Sequence, residues 1–418
     1  MALSAAAIAL NRFGLGARTD EPVPDPRRWL LDQFARYEPR PPGWAALPSA
    51  SAIAADYVAG RQQVMATAST EGADKQAARK ALQQESRDVY LDAVRARATS
   101  AFSTPTPFVE RLVHFWANHF AVSADKPVVL PFAGAFEAEA IRPHVLGRFE
   151  DMLLAVECHP AMQLYLDQAQ SVGPNSMLAL RAQERNPARK AGLNENLARE
   201  IMELHTLGVR TGYSQADVTE FARALTGWSV AGLGRGGRMD GVEPGNFVFR
   251  PAMHEPGART IMGRTYTQPG EAQARSVLHD LAVAPATADH VATKLARHFV
   301  ADDPPPALVR RLAASFRETG GDLPALYRVL VEAPESWSTA PAKFKTPWDW
   351  LVSSSRAVGL RDAGEMQVAP LMQQLGQPVW RPGSPAGYDD IAATWAAPGA
   401  LLRRVEVAQR IAARVGDR

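Results

Sequence analysis

The sequence predicts an all-α fold: an irregular multi-helix assembly with a loop-rich face and at most a small β-hairpin. Three observations lead there. Apolar residues recur at helical spacing along most of the 418 residues. Strand-like alternation is confined to the stretch around Phe247 and Phe249. No repeat of fixed period marks a solenoid or a propeller. The length allows one large domain or two, and a single helical domain over 1–418 is expected.

Taken in order, residues 2–10 read as a first helix, stopped after Asn11 and Arg12 by a glycine-rich stretch. The apolar run is short and lacks a basic segment before it, so it does not read as a signal peptide. The expected address is therefore cytoplasmic, with export alongside a partner as the alternative. No stretch approaches the roughly 18 apolar residues that a membrane span requires. Pro26 stands at the first turn of a short helix reaching Phe34. Residues 52–99 are polar and helical, broken at Gly72, and are expected to stand out as an arm. Pro107 opens the helix FVERLVHFWANHF, with Phe108, Leu112, Phe115 and Trp116 inward. Helices follow over 133–141, 143–154 and 160–167, and 171–190 is a loop carrying a short helix. The span 232–245 is a glycine-rich, mobile loop. Phe247 and Phe249, together with Thr260 and Ile261, supply the one plausible hairpin. Helices return over 271–283, 287–300, 305–319, 322–333, 346–359, 365–376, 387–396 and 398–415. Asp322 and Thr346 are expected N-caps, and Gly320 and Gly321 a helix stop.

Composition narrows the function classes. Hydrophobic residues at 46% against 22% charged suit a globular chain. A net charge of +2 lends no support to nucleic-acid binding or to a polybasic membrane patch. Cys158 is the only cysteine, which rules out an intrachain disulfide and a thiolate zinc cluster. No Walker A, no G-x-G-x-x-G between strand and helix, and no G-x-S-x-G occurs. The paired E-x-x-H of carboxylate-bridged di-iron bundles is also missing, because Met202 stands where the acid before His205 is needed.

The stretch Asn194 to Trp228, NENLAREIMELHTLGVRTGYSQADVTEFARALTGW, is the expected centre of function. At about 100° per residue, Leu197, Ile201 and Leu204 form an apolar stripe, and Asn196, Glu200 and Glu203 a polar one. Glu200 borders the apolar stripe and is the acid expected to be drawn inward and to need a partner. On a straight helix His205 lies far around from Glu203. The expected catalytic groups are Glu200, Glu203, His254 in its loop, and Asp167, whose place at a helix end calls for a cation such as Arg199. A divalent metal, if bound, would take His119, Glu195 and Glu200, with Asn118, Asn196, Arg199 and His205 supporting the pocket. Glu110, His114 and Asn118 align at i, i+4 and i+8 on their helix, whereas His114 and His119 lack the spacing of a helical zinc pair. Lys343 reads as a solvated lysine.

Segments spread along nearly the whole chain carry a resemblance. They include LNRFGLGA, FWANHFAVS, HPAMQLYLD, NENLAREIMELHTLGV, GYSQADVTEFARALTGW, FVFRPAMHEPGARTIMG, PATADHVATKLARHFV, FKTPWDWLVSSSRAVG and GQPVWRP. Together they resemble the bacterial family called domain of unknown function 1800. The resemblance implies a mostly helical domain without an assigned activity. It also implies a sulfatase-like protein of the domain of unknown function 1501 family, encoded nearby, as a partner. The chain departs from the family pattern at Ala117, where a second histidine is common, at Glu255 after His254, where aspartate is commoner, and at Tyr388, where tryptophan is usual. If Ala117 occupies a metal position, metal binding is weakened or lost. The expected function is a metal-assisted, hydrolase-like enzyme with an acid and histidine pocket around 194–208. The alternative is a non-enzymatic helical partner or scaffold for the sulfatase-like protein.

Overall fold

Local cap chemistry sets the helix starts. Asp322 and Thr346 accept hydrogen bonds from the amides of Ala325 and Asp349 and open Leu323–Glu332 and Pro347–Ala357. Gly320, at φ 62°, ends Pro306–Thr319. The computed structural model describes residues 3–67, 72–186, 192–237 and 241–416. It is mostly helical, as the sequence predicts.

Strands among the described residues are confined to two antiparallel pairs. β1 (Trp228–Val230) pairs with β2 (Phe247–Phe249), and β3 (Arg259–Ile261) with β4 (Arg264–Tyr266). The expected partnership of Phe247 with Thr260 is thus replaced. The glycine-rich loop folds back first: the Gly245 amide donates to Ala231 O and the Gly234 amide to Val230 O, closing β2 onto β1. Residues 238–240 of that loop lie outside the described residues. Thr260 instead meets Thr265 across a turn at Gly263, whose φ of 77° suits glycine.

Two apolar cores organise the helices. The larger joins Pro107–His119, Phe149–Cys158, Gln215–Leu225, Glu271–Ala282, Pro285–Phe299 and Leu323–Glu332 around Phe108, Trp116, Phe149 and Phe299. Each phenylalanine fully buried there contributes about 1.5–3 kcal/mol. The smaller core gathers Val94 and Phe102 with Trp348, Leu351, Met372, Trp380 and Val407.

The expected arm is only partly an arm. Ala50–Ala66 and Gly72–Ser103 are helices that pack on one another. From Ser86 onward, however, the second helix runs into the body and buries Tyr90, Ala93, Val94, Arg97 and Ala98. Its low mean apolarity hid this, because the buried face is built largely from alanine. A Cβ on Gly134 would lie 2.3 Å from the Ala93 Cβ, so that glycine lets the neighbouring helix approach.

Among the described residues three helices contain a π turn, at Ala9–Phe13, Glu137–Ile141 and Ile201–His205. Each carries a buried ionisable side chain, Arg12, Glu137 and His205 respectively. The wider turn re-aims side chains away from the positions of an unbroken α-helix.

Candidate functional site

The central helix is α-helical over Asn196–Glu200 and turns into the π segment Ile201–His205, with the Thr206 amide and hydroxyl both donating to Ile201 O. His205 is fully buried, and its Nδ1–H donates to Glu157 Oε1 at 2.8 Å. The last carbonyls of the segment are capped from neighbouring helices. His119 Nε2–H donates to His205 O at 3.1 Å, and His290 Nε2–H to Leu204 O at 3.0 Å. Burial, with the charge of nearby Lys294, pushes both imidazoles down, His119 far below its ordinary value and His290 to about 4. Both are therefore neutral donors at physiological pH.

The acids of this helix also have separate surroundings. Glu195 accepts from Thr219 at 2.7 Å, Gln215 at 2.8 Å and Arg199 at 3.3 Å, and the Thr219 bond leads the effects that hold its carboxyl low. Glu200 is half-buried and has no hydrogen-bond partner among the described residues. Burial pushes its carboxyl up, and Glu203 adds to that. Glu203 lies beside Tyr213, and Asn196 is exposed. The expected metal set of His119, Glu195 and Glu200 is not gathered. His119 spends its Nε2–H on a carbonyl, Glu195 is fully engaged, and among the described residues no group of three such side chains is placed to hold an ion.

Two further expected residues hold the local chain. Asp167, in the left-handed region at φ 58°, takes Lys126 as its cation at 2.7 Å, in place of Arg199. Lys126 reaches it because the same ammonium caps Leu164 O and Tyr165 O at the helix end. His254 Nδ1–H donates to Thr226 O at 2.9 Å, and burial pushes its imidazole down. Glu255 accepts from the amide and side chain of Asn175, tying two loops together.

Convergence occurs elsewhere, at the seam between the two cores. A cleft of about 690 Å³, its open mouth included, lies between Pro107–His119, Pro285–Phe299, the start of Pro347–Ala357 and the segment 377–390. The helix Pro107–His119 offers it His114, Ala117 and Asn118, and the small Ala117 and Ala121 leave the space. Asn118 fastens the far wall: its side chain donates to Tyr388 O at 2.8 Å and accepts from Tyr388 N at 2.7 Å. Gly387 must stay glycine there, since at φ 80° its Cβ would sit 2.3 Å from Asn118 O. Ala117 and Tyr388 thus both line the cleft.

A chain of polar contacts ends in it. Arg111 Nε–H donates to His298 Nε2 at 3.3 Å, and His298 Nδ1–H donates to Asp390 Oδ2 at 2.5 Å. Burial pushes the Asp390 carboxyl up. His298, Lys343 and Arg111 outweigh it and hold the carboxyl well below the usual range. Lys343, expected to be solvated, is 13% exposed and pairs with Asp302 at 2.6 Å as well as with Asp390. Arg111 also reaches Asp349 at 3.5 Å. On the opposite side the Trp348 indole donates to His114 Nδ1 at 3.2 Å, which leaves the ring proton on Nε2. Burial, then the charges of Arg97, Arg142 and Arg111, push His114 far down, so it is neutral.

Beneath the cleft lies a buried ionic floor. Arg142 grips Glu110 with two bonds of 2.8 Å, Ser100 adds a third at 3.0 Å, and Arg97 donates to Glu137 at 2.9 Å. Such a bidentate pair combines geometric specificity with strength. Of the expected site residues, Asn118 alone lines this cleft. His298, Asp349, Asp390 and Arg97 were not singled out in sequence. One local signal was available: the i, i+4, i+8 row Glu110, His114, Asn118 marks the helix face that lines it.

No match is found among curated proteins or among solved structures. Among family descriptions, that of a protein of unknown function, DUF1800, matches residues 8–417, and the chain belongs to that family.

Proposed function

We propose that this protein performs hydrolase-like acid–base chemistry on a small polar substrate in the cleft between the two cores. The observation behind this reading is the convergence of Asp390, His298 and Asp349 on one open space, with Arg111 bonded to His298 and Asp349 behind them. Asp390 holds His298 in the tautomer that leaves the Nε2 lone pair available, the arrangement of a general base. That lone pair is shared with Arg111 Nε–H at a long 3.3 Å, so a substrate O–H or an activated water can compete for it. Arg111 then stands beside the charge that develops.

The test is a screen of chromogenic carboxylate, phosphate and sulfate esters, anilides and glycosides. Turnover of one class is expected, falling about 10²–10⁴-fold in His298→Gln with the fold retained, the usual weight of a general base. Turnover that ignores His298→Gln would discard the reading, as would none from any class.

A helical partner role for a sulfatase-like protein has one observation in its favour. Leu401, Leu402 and Val405 are exposed large apolar side chains on Pro398–Gly416. Co-purification with the sulfatase-like protein, lost on Leu402→Glu and Val405→Glu, is the outcome that reading requires.

A further inference from the structure

We infer that Arg97 forms a carboxylate-binding subsite of the cleft, so that the molecule taken there carries a carboxylate. This rests on the cleft being the functional site and adds the substrate class. Arg97 lines the cleft near the end of Gly72–Ser103, with its side chain only 10% exposed. Its Nε is committed to Glu137 at 2.9 Å. Glu137 is itself fully buried and held by the Trp380 indole at 2.9 Å, so the guanidinium is anchored from one side. Its Cζ lies 4.4 Å from the Trp348 ring centroid and 5.4 Å from that of Trp380. The two Nη groups have no hydrogen-bond partner among the described residues, and neither is among the buried polar atoms left without one. They therefore keep solvent access through the cleft.

A fork fixed at Nε, flanked by indoles and open at Nη1 and Nη2, is preorganised for a two-oxygen acceptor. Little side-chain entropy remains to be lost on binding. Charge decides between acceptors. Glu137 already balances Arg97, and Asp349, Asp389 and Asp390 line the same cleft. A second negative charge on the ligand adds repulsion, and the neighbouring cations are already met, Arg111 by Asp349 and Lys343 by Asp302 and Asp390, so a monoanionic carboxylate is favoured over a phosphate dianion.

The experiment uses the full chain labelled with 5-fluorotryptophan, with fluorine resonances of the nine tryptophans assigned by Trp→Phe variants. Propionate, inorganic phosphate and ethylammonium are the probes. A saturable shift of the Trp348 and Trp380 resonances with propionate is expected. It should weaken at least tenfold in Arg97→Lys and vanish in Arg97→Gln, and phosphate should bind more weakly. No saturable shift, the same shift in Arg97→Gln, or tighter binding of phosphate or ethylammonium would overturn the subsite. Arg97→Gln strands Glu137 and can fail to fold, so Ala117→Leu, which narrows the cleft without touching that pair, must also weaken the propionate shift. An unchanged shift in Ala117→Leu places binding elsewhere and overturns the proposal. The two readings fail separately: propionate bound without turnover removes the acid–base reading, and turnover without propionate binding removes the subsite.

Discussion

The segment 194–208 and the cleft between the cores both concentrate acids, amides and histidines, yet they use them in opposite ways. Around the central helix most side chains are consumed one by one: His205 by Glu157, His119 and His290 by terminal carbonyls, Glu195 by Thr219 and Gln215. In the cleft, His114, His298, Asp349 and Asp390 face one space, and Arg97 keeps donors unspent. Polar density along a helix marks where the backbone needs help at a π turn. Polar convergence from separate elements marks where a ligand can be met.

The comparison is broken most strongly at the cleft floor. Glu110→Ala strands the fully buried Arg142 and is expected to cost roughly 3–5 kcal/mol in chemical denaturation. A loss below about 1 kcal/mol would show that the floor carries no strain of burial.

Next comes Glu157→Ala, which leaves His205 buried without its acceptor. About 1–3 kcal/mol should be lost, with turnover kept by the fraction still folded. Lost turnover at unchanged stability would move the chemistry back to the central helix.

Lys343→Ala removes the ammonium between Asp302 and Asp390. Its partners are partly exposed, so about 1–2 kcal/mol is the expected loss; a cost within 0.5 kcal/mol, the usual surface value, would restore the solvated reading.

Glu200→Ala should be the mildest of the substitutions. Among the described residues Glu200 has no hydrogen-bond partner, and it stands near Glu203, so the change should stay under about 1 kcal/mol, in either direction. A larger loss would reveal a partner.

Acid supplies a graded test of the capping histidines. Their folded-state pKa lies below the value near 6.5 of the unfolded chain. The unfolded state therefore takes up protons first, so stability rises with pH across this window and is lost as pH falls from about 6.5 towards 4. His290→Gln should flatten that part of the profile; an unchanged slope would assign the acid sensitivity to other groups.

Much of the fold was legible because helix starts are local. The Asp322 and Thr346 caps and the Gly320 stop lie within a turn of what they terminate. The partner of β2 was not, because loop closure at Gly234 and Gly245 chose β1 over β3. The π turn at Ile201–His205 was equally hidden, since the pattern LAREIMELH fits an ordinary helix until Thr206 bonds back to Ile201. The site was the least legible. Glu110, His114 and Asn118 share one helix face, but His298 and Asp390 are 92 residues apart and meet only through the tertiary fold. Lys343 looked solvated because its acids, Asp302 and Asp390, are distant in the chain.

The most direct measurement is a paired kcat/KM comparison on the best substrate from the screen. His298→Gln and Asp390→Asn represent the cleft, and Glu200→Gln with Glu203→Gln the central helix, each checked for an unchanged melting temperature. The expected result is a loss of about 10²-fold or more in both cleft variants and less than about threefold in the central-helix pair. Full activity in His298→Gln together with lost activity in the Glu200 and Glu203 variants would contradict the assignment and return the chemistry to 194–208.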